Sequence, residues 1–145
     1  RSTLFPYTTL FRSLRYVDIS DVSVEKSKTV NKRHIGKRCK IYKGSADRLP
    51  FKDNFIDLAT AFETVYFWKD MKKCFTEIKR VLKSGGKCVI VNDPGDPNKH
   101  WEEMIPDMTS WKPEELETYM KEAGFIDVQI TKNKFMFGVF GTKQY

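Results

Sequence analysis

The sequence predicts an α/β fold whose sheet is mostly parallel and closes with an antiparallel hairpin. Three observations predict it. Apolar runs rich in strand formers alternate with segments of helical period; Asn54–Ala61 (NFIDLATA) is an almost unbroken apolar run; and the last two strand-like runs follow each other with no helix between. An unbroken apolar run suits a strand covered on both faces, as in parallel sheets.

Leu14–Ile19 (LRYVDI) reads as a short strand carrying an acidic residue at its end. Ser20 and Asp21 supply a cap and a negative first turn, which predicts a helix over 21–32 with a thin apolar face of Val22, Val24 and Val30. Arg38–Lys43 alternates as a strand, Gly44 breaks it, and Ala46–Phe51 forms a loop with Pro50. Met71, Cys74, Phe75, Ile78, Val81 and Leu82 fall at helical spacing opposite Lys72, Lys73, Glu77, Lys79 and Arg80. Ser84-Gly85-Gly86 is the expected stop of that helix, and Lys87–Asn92 the next buried strand. Asp93–Ser110 is rich in loop formers. Pro113, Glu114 and Glu115 open a last helix whose inner face is Leu116, Tyr119, Met120 and Ala123, and Gly124 ends it. Phe125–Thr131 and Phe135–Thr142 are the closing strands.

At 145 residues the chain is long enough for one domain and too short for two. With 40% apolar and 14% aromatic residues it has ample material for a core, which argues against a disordered chain. No apolar run nears the roughly 18 residues of a membrane span. Nothing resembles a secretory leader. Cys39, Cys74 and Cys88 are odd in number, widely spaced and outside any CxxC or Cys/His cluster. That disfavours a disulfide framework and a metal site, and makes a reducing cytoplasm the expected location. The +7 balance, from 26 basic and 19 acidic residues, admits anionic partners. The lysines read as spread through helices and turns without interleaved aromatics, so solvated surface is favoured and nucleic acid stays open as the lesser reading.

Arg1–Ser13 (RSTLFPYTTLFRS) does not lead naturally into the strand at Leu14, and Pro6 with its neighbouring hydroxyls breaks any helical period. Its stretch TLFPYTTLFRS resembles the translation of a common short-read sequencing adapter. Residues 1–13 are therefore set apart as an artefact, leaving 14–145 as a truncated domain; the alternative is a real strand with Phe5 and Phe11 in the core. Without Arg1 and Arg12 the balance is 24 basic to 19 acidic, or +5.

Between Gly44 and Lys87 the order GSADRLPF, DNFIDLATAFET and RVLKSGGK resembles the core of the class I S-adenosylmethionine-dependent methyltransferases. The resemblance extends over Leu14–Tyr145. It implies a Rossmann-like sheet binding S-adenosyl-L-methionine at the carboxyl ends of its strands, where open α/β sheets place ligands. Asp18 matches the family's ribose-binding carboxylate, a group that offers only acceptors to a vicinal diol; otherwise it merely turns the chain. Ile19 would lie on the adenine or belong to the core. Ser45 and Ala46 match the adenine-side loop, with serine where the family often has an acidic residue, and Asp47 reads as surface. Ala61 and Phe62 follow the family's fourth strand and face the cofactor.

On the acceptor side the resemblance nominates Glu63, Tyr66, Trp68 and Asn92, with Phe67, Asp93 and Trp101 nearby. Glu63 either balances a cationic ligand or faces solvent; Tyr66 and Trp68 either shape an acceptor pocket or pack in the core. No general base is nominated, and His34 and His100 read as solvated. The family's G-x-G-x-G turn before the ribose-binding carboxylate is missing: the first glycine is Gly36. Losing its two or three bonds, worth about 1.5–3 kcal/mol each, would weaken cofactor binding by decades. The missing strand is the central one, which would leave two apolar edges open. The resemblance thus implies methyl transfer by the intact parent, to a small molecule by preference, and an unstable, inactive fragment. RNA or protein methylation, or a non-catalytic nucleotide- or partner-binding domain, are the alternatives.

Overall fold

The structure is a computed structural model that describes residues 13–93 and 101–145, without the side chains of 101 and 102. The adapter-like segment before Ser13, His100 and the side chain of Trp101 lie outside the described residues. The chain forms two compact units, Arg1–Ser45 and Ala46–Tyr145.

In the first unit β1 (Leu14–Asp18) and β2 (Cys39–Lys43) pair in parallel, from Leu14 opposite Cys39 to Asp18 opposite Lys43. Between them runs α1 (Asp21–Val30), capped by Ser20, whose hydroxyl accepts from the Ser23 N–H at 3.3 Å. The helix stops two residues before the expected Lys32 because Asn31 turns its amide back to the Ser27 carbonyl, at 2.9 Å. Asparagine competes for backbone bonds in this way and favours helix ends. Val24 alone of α1 is buried.

The second unit holds β3 (Ile56–Phe62), α2 (Met71–Val81), β4 (Leu82–Asn92), α3 (Trp101–Met104), α4 (Pro113–Glu122), β5 (Phe125–Lys132) and β6 (Phe137–Lys143). Its sheet order is β3-β4-β6-β5, with β3–β4 parallel and β6 inserted antiparallel between β4 and β5. Among the described residues β3 has a strand partner on one side only. β4 buries Gly86, Cys88, Ile90 and Asn92 in strict alternation. Cys88, Ile90 and Val139 form the sheet side of a core completed by Phe75, Ile78, Leu116 and Met120. Phe75 meets Phe125 and Trp68 edge-on, with ring centroids 6.4 and 5.8 Å apart.

The predicted stripe of α2 is buried as expected: Met71, Cys74, Phe75, Ile78 and Val81, behind an Asp70 cap that accepts from the Lys73 N–H at 2.9 Å. Its end is not where the glycines stand. Leu82 is already extended (φ −69°, ψ 142°) and opens β4. The reason lies far away in sequence. The Asn54 and Phe55 N–H groups bond to the Arg80 and Val81 carbonyls at 3.1 and 2.8 Å and join the helix end to the start of β3. The glycines serve the strand instead. Gly85 has φ +74°, and a Cβ on Gly86 would sit 2.8 Å from the Lys83 carbonyl oxygen. The β3–β4 register shifts here, between Ile56 and Leu58.

Arg80 ties the loop before β3 to α2. Its Nε and one Nη bond both Glu77 oxygens at 2.8 and 2.7 Å; the same Nη reaches the Phe51 carbonyl at 2.9 Å, and the other Nη reaches Asp53 at 2.5 Å. Glu77 accepts from the Leu49 N–H at 2.9 Å as well. The guanidinium holds the Glu77 carboxyl below its ordinary range, outweighing the opposing effect of burial. A carboxyl depressed in the folded state stabilises above its unfolded pKa and loses that contribution as pH falls through the folded value. We expect Arg80→Met to cost about 1–3 kcal/mol in chemical denaturation, the pair being partly exposed. Glu77→Gln should flatten the part of the stability–pH curve below about pH 4.5, the ordinary glutamate value. An unchanged acid limb would show that the clamp does not stabilise the fold.

Candidate cofactor and acceptor sites

In the first unit Asp18 ends β1 with a half-buried, firmly held carboxylate. Oδ2 accepts from the Tyr16 hydroxyl at 2.6 Å, and Oδ1 from the Ser20 N–H at 2.9 Å. Its carbonyl accepts from the Gly44 N–H at 3.0 Å, so the same residue anchors the exit of β2. A carboxylate offers about four lone-pair sites, and two remain here. Ile19 comes next, 68% exposed, an aliphatic surface beside a fixed acceptor. It is not core. Ser45, half-buried, closes this unit.

In the second unit Ala46 is half-buried in a turn, and Asp47 pairs with Lys73 at 3.3 Å as a surface residue should. Ala61 is buried near the end of β3 and Phe62 is 48% exposed. Glu63 is exposed, as one of its two expected readings has it, and its carboxylate is also bonded within the protein. With φ +54°, a conformation rare for a side chain other than glycine's, it swings its carboxylate over the ends of both parallel strands. Oε1 accepts from the Asp93 N–H at 2.5 Å, Oε2 from the Tyr66 hydroxyl at 3.1 Å, and the Glu63 N–H bonds the Val91 carbonyl at 3.0 Å. The Tyr66 hydroxyl also lies 3.1 Å from the Asp93 carbonyl, and the Tyr66 carbonyl accepts from the Thr109 N–H at 2.9 Å. Burial first, and the Glu63 charge second, push the Tyr66 phenol far above its ordinary range. Its hydroxyl donates to the Glu63 carboxylate.

Trp68 packs edge-on against Phe75 and borders the core. Asn92 shares the buried face of β4 with Cys88 and Ile90; it is fully buried, and neither amide atom has a partner among the described residues. The buried indole N–H of Trp111 is in the same position. Trp111 stands before α4 with its ring edge-on to Tyr119 at 5.8 Å, and nothing in the spacing of its polar segment marked it. The Asp18 carboxylate is thus a polar group at a strand end of the first unit, and the Glu63–Tyr66–Asp93 group and the Asn92 amide stand at strand ends of the second.

A methyltransferase-domain family model matches residues 3–90, more than half of the 145-residue chain. This chain belongs to the methyltransferase-domain family. Among curated relatives, the 2-methyl-6-phytyl-1,4-hydroquinone methyltransferase of Arabidopsis thaliana is 31% identical over 80% of this chain and 35% of its own length. A sterol 4-C-methyltransferase of Caenorhabditis elegans is 36% identical over 45% of this chain and 21% of its own length. The crystal structure of an S-adenosyl-L-methionine-dependent methyltransferase from Methanococcus maripaludis superposes with a TM-score of 0.72 at 27% identity, covering 92% of this chain and 68% of that one. The chain thus spans about a third or less of the length of these curated relatives.

The fold is the α/β, Rossmann-like fold of the class I methyltransferases, and S-adenosyl-L-methionine is their cofactor. The residues present fit its adenosine half: Asp18 keeps lone pairs for a diol, and Ile19 exposes an aliphatic face. Between Ser13 and Asp18 there is no glycine turn for the methionine half. Among the described residues, no group of three or more His, Cys, Asp or Glu side chains could hold a metal ion.

The Asn92 amide gives a direct test of whether this strand end is built for stability. Asn92→Leu, nearly the same size, should raise stability by about 1–2 kcal/mol, because it removes two unsatisfied buried groups. Thermal denaturation reads the change. A loss of that size instead would show that the amide has a partner in solution.

Proposed function

We propose that the parent protein transfers a methyl group from S-adenosyl-L-methionine to a small molecule. The observation that carries the reading is the fixed Asp18 carboxylate beside the exposed Ile19 at the carboxyl end of β1. In this reading Asp18 accepts hydrogen bonds from the ribose hydroxyls, Ile19 covers the adenine, and Ser45 and Ala46 border it. Ala61 and Phe62 lie on the cofactor side of β3, while Glu63, Tyr66, Trp68 and Asn92 serve the acceptor side. When bound, the cofactor supplies a methyl group activated by a sulfonium. The protein then has to align the acceptor and keep water out. Glu63 and Tyr66 contribute by fixing the chain after β4, where an acceptor is met. Relatives whose names specify a hydroquinone and a sterol favour a small, apolar acceptor over RNA or protein.

The same reading takes Arg1–Ser13 as foreign sequence, places the glycine-rich turn upstream of Leu14 in the native gene, and locates the protein in a reducing cytoplasm. It expects the 145-residue chain alone to be unstable and inactive. Calorimetric titration of S-adenosylhomocysteine into this chain, and into one carrying its authentic upstream sequence, tests it. Binding by the restored chain alone is expected; silence from both would favour a non-catalytic α/β domain. In the restored chain Asp18→Asn should weaken binding roughly 10–100-fold, the equivalent of one charge-assisted bond pair. An unchanged affinity would take the ribose role from Asp18.

A further inference from the structure

The net charge of +7 is unevenly placed. Residues 13–45 hold nine basic residues against Asp18, Asp21 and Glu25, a balance of +6, whereas residues 46–145 hold 15 basic against 16 acidic, or −1. The expectation that the lysines are spread thus holds for the second unit and fails for the first. From Lys26 to Ala46 there are eight basic residues and no carboxylate. All eight side chains are exposed. Lys28 pairs with Glu25 at 2.7 Å and Lys43 with Asp21 at 2.6 Å; Lys26, Lys32, Arg33 and Lys37 meet no carboxylate among the described residues.

Aliphatic side chains stand among these cations. Val22, Lys26 and Val30 succeed one another at four-residue spacing along one line of α1, with Val22 78% and Val30 55% exposed. Ile35 is exposed in the turn after the helix. Beside it an open groove of about 350 Å³ is lined by Ile35 and Ile41 together with Lys28, Thr29 and Lys32. Aromatics are scarce: among residues 13–45 only Tyr16 and Tyr42, both half-buried. Single-stranded nucleic acid is held by basic grooves with aromatic platforms for the bases, and such platforms are lacking here. Cations with exposed aliphatic side chains between them are instead the composition of a surface that rests in a lipid interface, the apolar groups entering below headgroups that the cations attract.

We propose that the α1 face and the turn to β2 dock this domain onto an anionic lipid bilayer. Lys26, Lys32, Arg33 and Lys37 face the headgroups, and Val22, Val30 and Ile35 enter between them. Docking of this kind is independent of the catalytic reading, because it uses neither the cofactor nor turnover.

Vesicle flotation tests it on the chain carrying its authentic upstream sequence in place of residues 1–13, using phosphatidylcholine vesicles with and without phosphatidylglycerol. We expect flotation with the anionic vesicles only, falling as salt rises. The variant Lys32→Gln/Arg33→Gln/Lys37→Gln should partition roughly a hundredfold more weakly, at about one surface charge's contribution for each residue. Val30→Ser/Ile35→Ser should weaken binding with its salt dependence kept. A control that removes the same charge from the second unit, Lys72→Gln/Lys121→Gln/Lys134→Gln, should float as the parent does; circular dichroism confirms that all variants are equally folded. Equal flotation with neutral vesicles, equal loss in the control, or retention by single-stranded RNA in place of vesicles would each overturn the proposal.

Discussion

The guanidinium of Arg80 gathers the Glu77 carboxylate, the Asp53 carboxylate and the Phe51 carbonyl around one planar fork. Glu77 passes the grip on to the Leu49 backbone. Irregular chain from Leu49 to Asp53 is thereby held against the last turns of α2, and Asn54 and Phe55 complete the seam through the helix's final carbonyls. That seam sets where β3 begins and where α2 stops. The pairing of β3 with β4, and the height at which both strands end, depend on it. A lysine could supply the charge, but its ammonium has no fork to serve a carboxylate and a carbonyl together.

At the far end of the same two strands Glu63 does the complementary task. Its backbone is strained, and its carboxylate joins the exit of β3 to the first residue after β4 through the Asp93 N–H and the Tyr66 hydroxyl. Both carboxylate oxygens are engaged within the protein. Glu63 thereby ties the chain that follows β4 to the end of β3.

Much of the architecture was legible because amphipathic spacing is a local property. The α2 stripe, the Pro113 start of α4 and the closing strands needed only the residues in view. The end of α2 was not legible: it is decided by N–H groups of Asn54 and Phe55, far earlier in the chain, while the glycine pair that seemed to mark it serves a register shift. The place of Asp18 at the end of β1 was legible from the strand pattern, since an acidic residue closes an apolar run there. The bonds of Glu63 to Tyr66 and Asp93 were not legible, since a positive φ in a glutamate has no sequence signature. Strand alternation puts Asn92 on the buried face of β4 with Cys88 and Ile90, which its place after an apolar run did not reveal. The charge asymmetry was countable from the start and vanished in the total.

The three cysteines carry a practical consequence. Burial raises the pKa of Cys39 and pushes Cys74 and Cys88 up to about 12, so at neutral pH each is a shielded thiol with little thiolate to react. Cys39 belongs to the first unit, and Cys74 and Cys88 to the second. An alkylating reagent would therefore modify each unit only as it opens. Mass spectrometry of the labelled peptides would then read the two opening equilibria separately in one sample, the thiols serving as unfolding clocks already built into the chain.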